Sequence, residues 1–510
     1  MLTIAAICTR TAPTEKMNSS SVRNSSRLPA AGLLADQVRW RSAEMVNGGI
    51  DQSQLAIADA PKGALPFSFL VMGDTDAGLA GGLVAQQFAD GFAQQVMQQV
   101  QDSRFLLHTG DVTYPTGSYE NYFRGFLQPY RALLKQLPGD PGGIKEKVVF
   151  KRALLPVPGN HDYAQLPPTA RRWQGLLRFV CDRLRTVGVD WGHYGGEGGE
   201  AYAQAFLDDL KRLTPAQMAA HLATHYDACG GFSEGASEGA GSQAASRLSA
   251  MRCLNYRPGT FTRLPNRYYR FGYGGVDFFA LDSNTWAMNS AEKGFDAEQL
   301  DWLVRSLVAS WRSPKTVGRI IYLHHSPYTT EQSRWQQPET LWVRRHLRVA
   351  LDSAMAEIRQ CSPAVAVINR PIVDLVLSGH AHCLEHVKTM QTHHADANMD
   401  WVVCGGSGVD LRRQRSAGGD ILEQLSQGGR SYTDVVAKSQ RYVGAQGLGA
   451  QGLNGRGRKQ SPAYSFLRVA VDPAKRQPFC VMPFAVSRQE KGWQTSALEP
   501  LTVGRQAARI

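Results

Sequence analysis

A chain of 510 residues, 43% of them apolar, is long enough for two or three domains and can bury a substantial core. No stretch approaches the run of about 20 apolar residues that crosses a bilayer, and eight cysteines without a CxxC pair exclude a disulfide scaffold and speak against zinc fingers or iron–sulfur clusters. The net charge of +12 gathers toward the C-terminus, where residues 431–510 hold twelve Lys/Arg against four Asp/Glu, but these cations are scattered singly and read as a solvated face that attracts anionic substrates.

Residues 1–64 read as a disordered or targeting segment. The apolar run Leu2 to Cys8 has no basic residue before it and is closed by Arg10, which makes a poor secretory signal. Residues 17–41 are rich in Ser and Arg with Asp36 as the one acid, a faint transit-peptide composition. Without a convincing signal, a cytoplasmic location is the expectation.

Residues 65–164 read as the first part of an α/β core. The apolar run 67–72 predicts a strand ending in Gly73-Asp74, and Phe88, Phe92, Val96 and Val100 share one face of a following helix. A second strand from Phe105 ends in Gly110-Asp111. A helix over 121–134 leads to a third strand, 153–157, which ends in Gly159-Asn160-His161-Asp162. Residues 165–263 break this rhythm with helical pieces (171–186, 201–213, 215–226) and a Gly/Ser/Ala/Glu stretch at 230–246, and read as a helical cap with a loop.

Residues 264–490 read as the second part of the core. A hairpin spans 268–282, Asp296 caps a helix to Trp311, and the strand 319–323 ends in His324-His325. A helix over 341–358 precedes the strand 372–377, which ends in Gly379-His380-Ala381-His382. Strands at 401–404, 466–471 and 479–486 are expected to complete a second sheet, the repeat at 444–453 to be a disordered loop, and 491–510 to be a tail.

Five strand ends thus supply Asp74, Asp111, Asn160 with His161, His324/His325, and His380 with His382. One Asp after a Gly is usually a turn residue and one His usually a core hydrogen-bonder. Five strands in succession ending in carboxylate, amide or imidazole are another matter. Those are the donors borderline divalent and trivalent metals take, and strand C-termini are where open α/β sheets bind ligands.

These blocks resemble the calcineurin-like metallophosphoesterases. The first block has Asp76 where that superfamily normally writes His, and Gly110-Asp111-Val112-Thr113-Tyr114 is similar to the purple acid phosphatase form, in which a tyrosinate takes that place. His325-Ser326-Pro327-Tyr328 and the run 379–386 resemble the purple and tartrate-resistant acid phosphatase branch. The resemblance implies a four-layer α/β/β/α sandwich with a helical insertion and two metal ions, iron with iron, zinc or manganese. It implies Asp74, Asp111, Tyr114 and His382 on the first metal, and Asp111, Asn160, His325 and His380 on the second. The His-x-Pro register is what favours His325 over His324. His161 would be the general acid and, with Asn160, bind substrate, while a hydroxide between the metals attacks phosphorus. Asp76 is either an extra ligand or a turn acid, and Tyr163, Asn284 and Tyr328 lie near strand ends where they would shape the pocket. The activity implied is hydrolysis of small phosphate monoesters. A phosphodiesterase acting on nucleotides or nucleic acid is the alternative, and a metal-binding scaffold without turnover the third reading.

Overall fold

The computed structural model describes residues 42–75, 83–139, 148–163, 199–229, 251–292, 294–361, 371–408, 410–427, 430–445, 447–448, 463–489 and 492–504. In chain order its strands are β1 Ile50–Ile57, β2 Phe67–Met72, β3 Phe105–His108, β4 Ala153–Pro156, β5 Tyr226–Ala228, β6 Arg252–Tyr256, β7 Tyr269–Tyr273, β8 Val276–Ala280 and β9 Gly318–Leu323. There follow β10 Leu375–Ser378, β11 Leu384–Thr389, β12 Asp400–Cys404, β13 Asp420–Gln427, β14 Arg430–Gly444, β15 Gly447–Leu448, β16 Tyr464–Val471, β17 Phe479–Gln489 and β18 Gly492–Ala497.

Among the described residues these form two sheets. The six-stranded sheet runs β18-β17-β16-β2-β3-β4, and the twelve-stranded sheet β13-β14-β11-β12-β10-β9-β8-β7-β1-β6-β5 with β15 on β14. Strands β2, β3 and β4 are parallel neighbours, as are β8, β9, β10 and β12, and their continuous apolar runs suit strands buried on both faces.

Aromatic rings fasten the two sheets face to face. Phe105 of the small sheet stacks on Phe69 at 5.0 Å and meets Phe278 of the large sheet edge-on at 5.5 Å. The helix Leu83–Val100 covers the outer face of the small sheet, with Phe92 against Phe466 and Phe88 against Trp493. On the outer face of the large sheet, the helices Ala297–Arg312 and Pro338–Cys361 bury Leu303, Leu307, Leu347 and Leu351 over Phe279, Ile321 and Val376. The result is the four-layer α/β/β/α sandwich.

Five sequence expectations change. The segment 1–64 is not wholly disordered: Ala43–Asn47 is a helix, and β1 sits between β6 and β7 with Leu55 and Ile57 in the core. Its middle, Gln52-Ser53-Gln54, is polar, so no alternating pattern announced it; Asp51 accepts from Ser53 and Gln54 within the strand. The insertion is partly sheet, since β5 and β6 extend the large sheet beside the helices Glu200–Phe206 and Pro215–His225; the expected helix at 171–186 and the loop at 230–246 lie outside the described residues. Residues 401–404 join the large sheet while β16 and β17 complete the small one, and β18 draws part of the 491–510 tail onto β17. Finally, Gly444 ends β14 and Gly447–Leu448 pairs with it, so the start of the 444–453 repeat is strand.

Candidate metal centre

Each loop leaving a parallel strand turns at once into the space at the sheet edge. β2 delivers Asp74, β3 Asp111, β4 Asn160, β9 His324 and β10 His380. Asp74, Asp111 and His380 have φ of 56°, 50° and 65°, a left-handed backbone that costs a non-glycine residue on the order of 1 kcal/mol or more. The fit is tight around them: a Cβ on Gly159 would lie 2.1 Å from Asp111 Oδ1.

Two groups of donor atoms result, with Asp111 common to both. In the first, the Tyr114 hydroxyl lies 2.8 Å from Asp74 Oδ1, 2.8 Å from Asp111 Oδ2 and 3.4 Å from His382 Nε2. In the second, His324 Nε2 lies 3.4 Å from Asp111 Oδ2 and 3.0 Å from Asn160 Oδ1, which is itself 3.1 Å from His380 Nδ1. Donors that share one ion at about 2.1 Å and at right angles stand about 3 Å apart, so both groups have ligand-set spacing. Asp74, Asp111 and His324 are all buried, with donor atoms within 4.8 Å of one another.

The hydrogen-bond inventory carries too many lone pairs. Tyr114 has one hydroxyl proton for two carboxylates. His324 Nδ1 is 2.9 Å from the Thr109 carbonyl, His382 Nδ1 3.1 Å from the Asp410 carbonyl, and His380 Nε2 3.3 Å from Gln337 Oε1. A carbonyl only accepts, so each of those nitrogens carries the proton and the neutral ring turns its other lone pair inward. The lone pairs of His324 Nε2, His380 Nδ1 and Asn160 Oδ1 then confront one another at 3.0–3.2 Å, which is repulsive unless a positive charge sits among them.

The electrostatics say the same. Burial, opposed by His324 and reinforced by Asp111, raises the Asp74 carboxyl to about 8. Burial disfavours the His324 imidazolium, yet the Asp111 carboxylate against it lifts that ring to about 9. Both shifts are uptake of a proton where a cation fits. Burial and then the two carboxylates push Tyr114 well above its ordinary 10, and burial and then the Arg334 charge push His380 well below 6.5. The donor set suits a cation pair.

Asp162 joins the second and third blocks from behind. It accepts from Val112 N at 3.1 Å, Gly159 N at 2.8 Å and the Tyr122 hydroxyl at 2.6 Å. His161 donates its backbone N–H to Asp111 Oδ1 at 2.8 Å, holds its Nδ1 2.8 Å from the Pro115 carbonyl, and lies with its ring 4.4 Å from that of Tyr114.

Asp74, Asp111, Tyr114, Asn160, His161, His380 and His382 therefore converge. In the fourth block the histidine that reaches Asn160 is His324, and His325 instead holds Nδ1 2.8 Å from Ser283 Oγ. Strand parity accounts for the place of His324: Ile320 and Tyr322 point between the sheets and Ile321 and Leu323 toward the helices, so His324 continues the inward row, while the His325 ring lies 4.5 Å from that of His380. Asp76 lies outside the described residues. Asn284 donates to the Pro158 carbonyl and, with Tyr163, bonds Asp282, so both brace the 158–163 turn, whereas Tyr328 is engaged with Asp396 and Arg348 away from the centre. Gln337, Asp410 and Thr109, which orient the three histidines, carried no sequence signal; Asp162 was visible in its block but had no role to read.

A family model described as calcineurin-like phosphoesterase matches residues 67–384. No curated protein matches the chain. Solved structures similar to it include GAP50, the anchor in the inner membrane complex of Plasmodium, at 13% identity over 87% of this chain and 90% of that one, with a TM-score of 0.38. Purple acid phosphatase PPD1 from yellow lupin (Lupinus luteus) seeds is 13% identical over 84% of this chain and 53% of that one, with a TM-score of 0.41. PhoD is 11% identical over 86% and 73%, with a TM-score of 0.35. Among the described residues no helix is long and apolar enough to cross a membrane.

Proposed function

The chain belongs to the calcineurin-like phosphoesterase family, and we propose that within it the protein hydrolyses phosphate monoesters in the manner of the purple acid phosphatases. The observation that carries this reading is the Tyr114 hydroxyl, 2.8 Å from each of Asp74 and Asp111 and 3.4 Å from His382 Nε2.

Asp74, Asp111, Tyr114 and His382 would hold one ion, and Asp111, Asn160, His324 and His380 the other, as iron with iron, zinc or manganese. Ions held there would supply an acidified water as nucleophile and positive charge against the phosphoryl oxygens. The chain's own part follows from its protons. Tyr114 can join a ligand set only as phenolate, and a phenolate oxygen beside two carboxylates is a hard, anionic donor set that suits a trivalent ion on that side. His161 keeps one proton on Nδ1 toward Pro115, so a protonated ring carries its second proton on Nε2, the atom from which it would pass to the departing alcohol. Asn160 contributes an uncharged oxygen and so leaves the second ion the stronger partner for an anionic ester.

The test is hydrolysis of nitrophenyl phosphate against bis-nitrophenyl phosphate from pH 4 to 9, with iron, manganese or zinc supplied in turn, alongside the visible spectrum of the iron-loaded protein. Monoester preference at acid pH with a tyrosinate charge-transfer band that Tyr114→Phe abolishes supports the reading. A colourless iron protein that prefers the diester near neutral pH refutes it.

A further inference from the structure

Close behind the two carboxylates stands a histidine that the chemistry above does not use. His108 is the last residue of β3, Thr75 follows Asp74, and both side chains are buried. The Gly110 N–H reaches His108 Nδ1 at 3.2 Å, His108 Nε2 lies 2.9 Å from Thr75 Oγ1, and Thr75 Oγ1 lies 3.2 Å from the Val112 carbonyl. The direction of each bond follows from the two ends. A backbone N–H only donates, so Nδ1 is bare and the ring proton sits on Nε2. A carbonyl only accepts, so the Thr75 hydroxyl gives its proton to Val112 and its oxygen accepts from Nε2. Burial, opposed by the Asp111 charge, lowers the ring to about 3, which agrees with a neutral imidazole.

We propose that His108 and Thr75 are positioning residues for the metal centre: together they clasp the turn that carries Asp74 to the turn that carries Asp111, and so set the separation of the two carboxylates. The proposal rests on the reading of Asp74 and Asp111 as metal ligands and is independent of which ester is cleaved.

Gly110 and Val112 flank Asp111, so the relay starts on one side of that ligand, passes through the residue after Asp74, and ends on the other side. Two backbone bonds run beside it, from Asp74 N to the Gly110 carbonyl at 3.0 Å and from Thr75 N to the Asp111 carbonyl at 3.3 Å. The second is at the long end for an N–H···O bond, and it is the Thr75 end that the relay reinforces. Asp74 and Asp111 both have left-handed backbone, with φ of 56° and 50°, a conformation that persists only where the surroundings hold it. A metal ion tolerates errors of only about 0.2 Å in its ligand distances, so the hold has to be rigid. A neutral imidazole answers that need, because one planar ring carries an acceptor toward Gly110 and a donor toward Thr75. Phe126 lies edge-on to it at 5.7 Å. An aliphatic residue at 108 would fill the same space and take that acceptor from the buried Gly110 N–H.

The experiment is calorimetric titration of the full chain, freed of metal, with zinc chloride for the parent, Thr75→Val, Thr75→Ser, His108→Leu and the double variant of Thr75→Val with His108→Leu. The urea midpoint of each metal-free protein is measured beside it. Thr75→Val keeps the shape and removes the hydroxyl, and should weaken zinc binding about tenfold. Thr75→Ser restores the hydroxyl and should recover most of that loss. The double variant should bind no more weakly than the weaker single one, because the two residues act as a unit. Should His108→Leu fail to fold, Thr75→Val against Thr75→Ser still decides. A folded Thr75→Val with the parent's zinc affinity overturns the proposal, even if its urea midpoint falls, since the relay would then serve stability alone. A Thr75→Ser as weak as Thr75→Val also overturns it, as do additive losses in the double variant. A parent that takes up no metal sinks the ligand reading and the clasp with it, whereas a parent that binds zinc beside variants that bind it equally well sinks the clasp alone. Zinc affinity lost in the variants of an enzyme that prefers the diester sinks the monoesterase reading alone.

Discussion

His324 Nε2 lies 3.0 Å from Asn160 Oδ1, while the next residue, His325, points its Nδ1 at Ser283 Oγ. Two adjacent histidines thus have different partners, and their substitutions should separate. His324→Ala should remove one ion of the pair, seen by elemental analysis, and lower kcat by about 100-fold or more. His325→Ala should keep both ions and lose much less activity. If instead His325→Ala empties a site and His324→Ala does not, the inward row of β9 has been misassigned.

Gly159 gives a sharper steric test. A Cβ there would lie 2.1 Å from Asp111 Oδ1 and 2.3 Å from Asp111 N, and neither backbone nor a doubly hydrogen-bonded carboxylate can yield cheaply. Gly159→Ala should therefore displace the carboxylate common to both donor groups. The expected result is a folded protein with reduced metal content and about a hundredfold or greater loss of ester hydrolysis. Full metal content and activity in this variant would mean that Asp111 is not where the chemistry is.

What could be read in advance, and what could not, follows from the range of the interactions. Asp74, Asp111, Asn160 and His380 end apolar runs, and strand ends are local features. The choice between His324 and His325 depends on which face of β9 looks toward the small sheet, and the Pro327 spacing carries no information about that parity. Gln337 and Asp410 reach the histidines from loops far along the chain, so their roles exist only once the sheets have packed. β1 shows no alternation because its middle, Gln52-Ser53-Gln54, is polar; Ser53 Oγ and Gln54 Nε2 donate to Asp51.

Asp162 should prove structural rather than chemical. It is fully buried, and its carboxylate serves Val112 N, Gly159 N and the Tyr122 hydroxyl, so removing it leaves two buried backbone donors unsatisfied. Asp162→Ala should cost about 2–5 kcal/mol in denaturant unfolding, and Asp162→Asn, which keeps one acceptor, about half as much. With saturating metal the Asn variant should recover most of its kcat. A variant as stable as the parent would show that the second and third blocks are held by something else.

The same logic gives a pH dependence that does not involve the centre. His346 lies on the helix Pro338–Cys361 with Nδ1 3.0 Å from the Trp286 carbonyl, its ring between Phe295 and Trp342. Burial, aided by the neighbouring Arg345 charge, lowers it to about 4. The unfolded chain therefore takes up a proton near pH 6.5 that the folded protein refuses until about 4. The stability it permits is full above pH 6.5 and falls as the pH drops from 6.5 toward 4, by at most about 3 kcal/mol. His346→Gln can still donate to Trp286 but cannot titrate. Urea midpoints at pH 7 and pH 5, compared for parent and variant at equal metal, should show the parent losing more over that interval. Parallel losses in the two proteins would mean that the His346 ring is charged, or solvated, in the folded state.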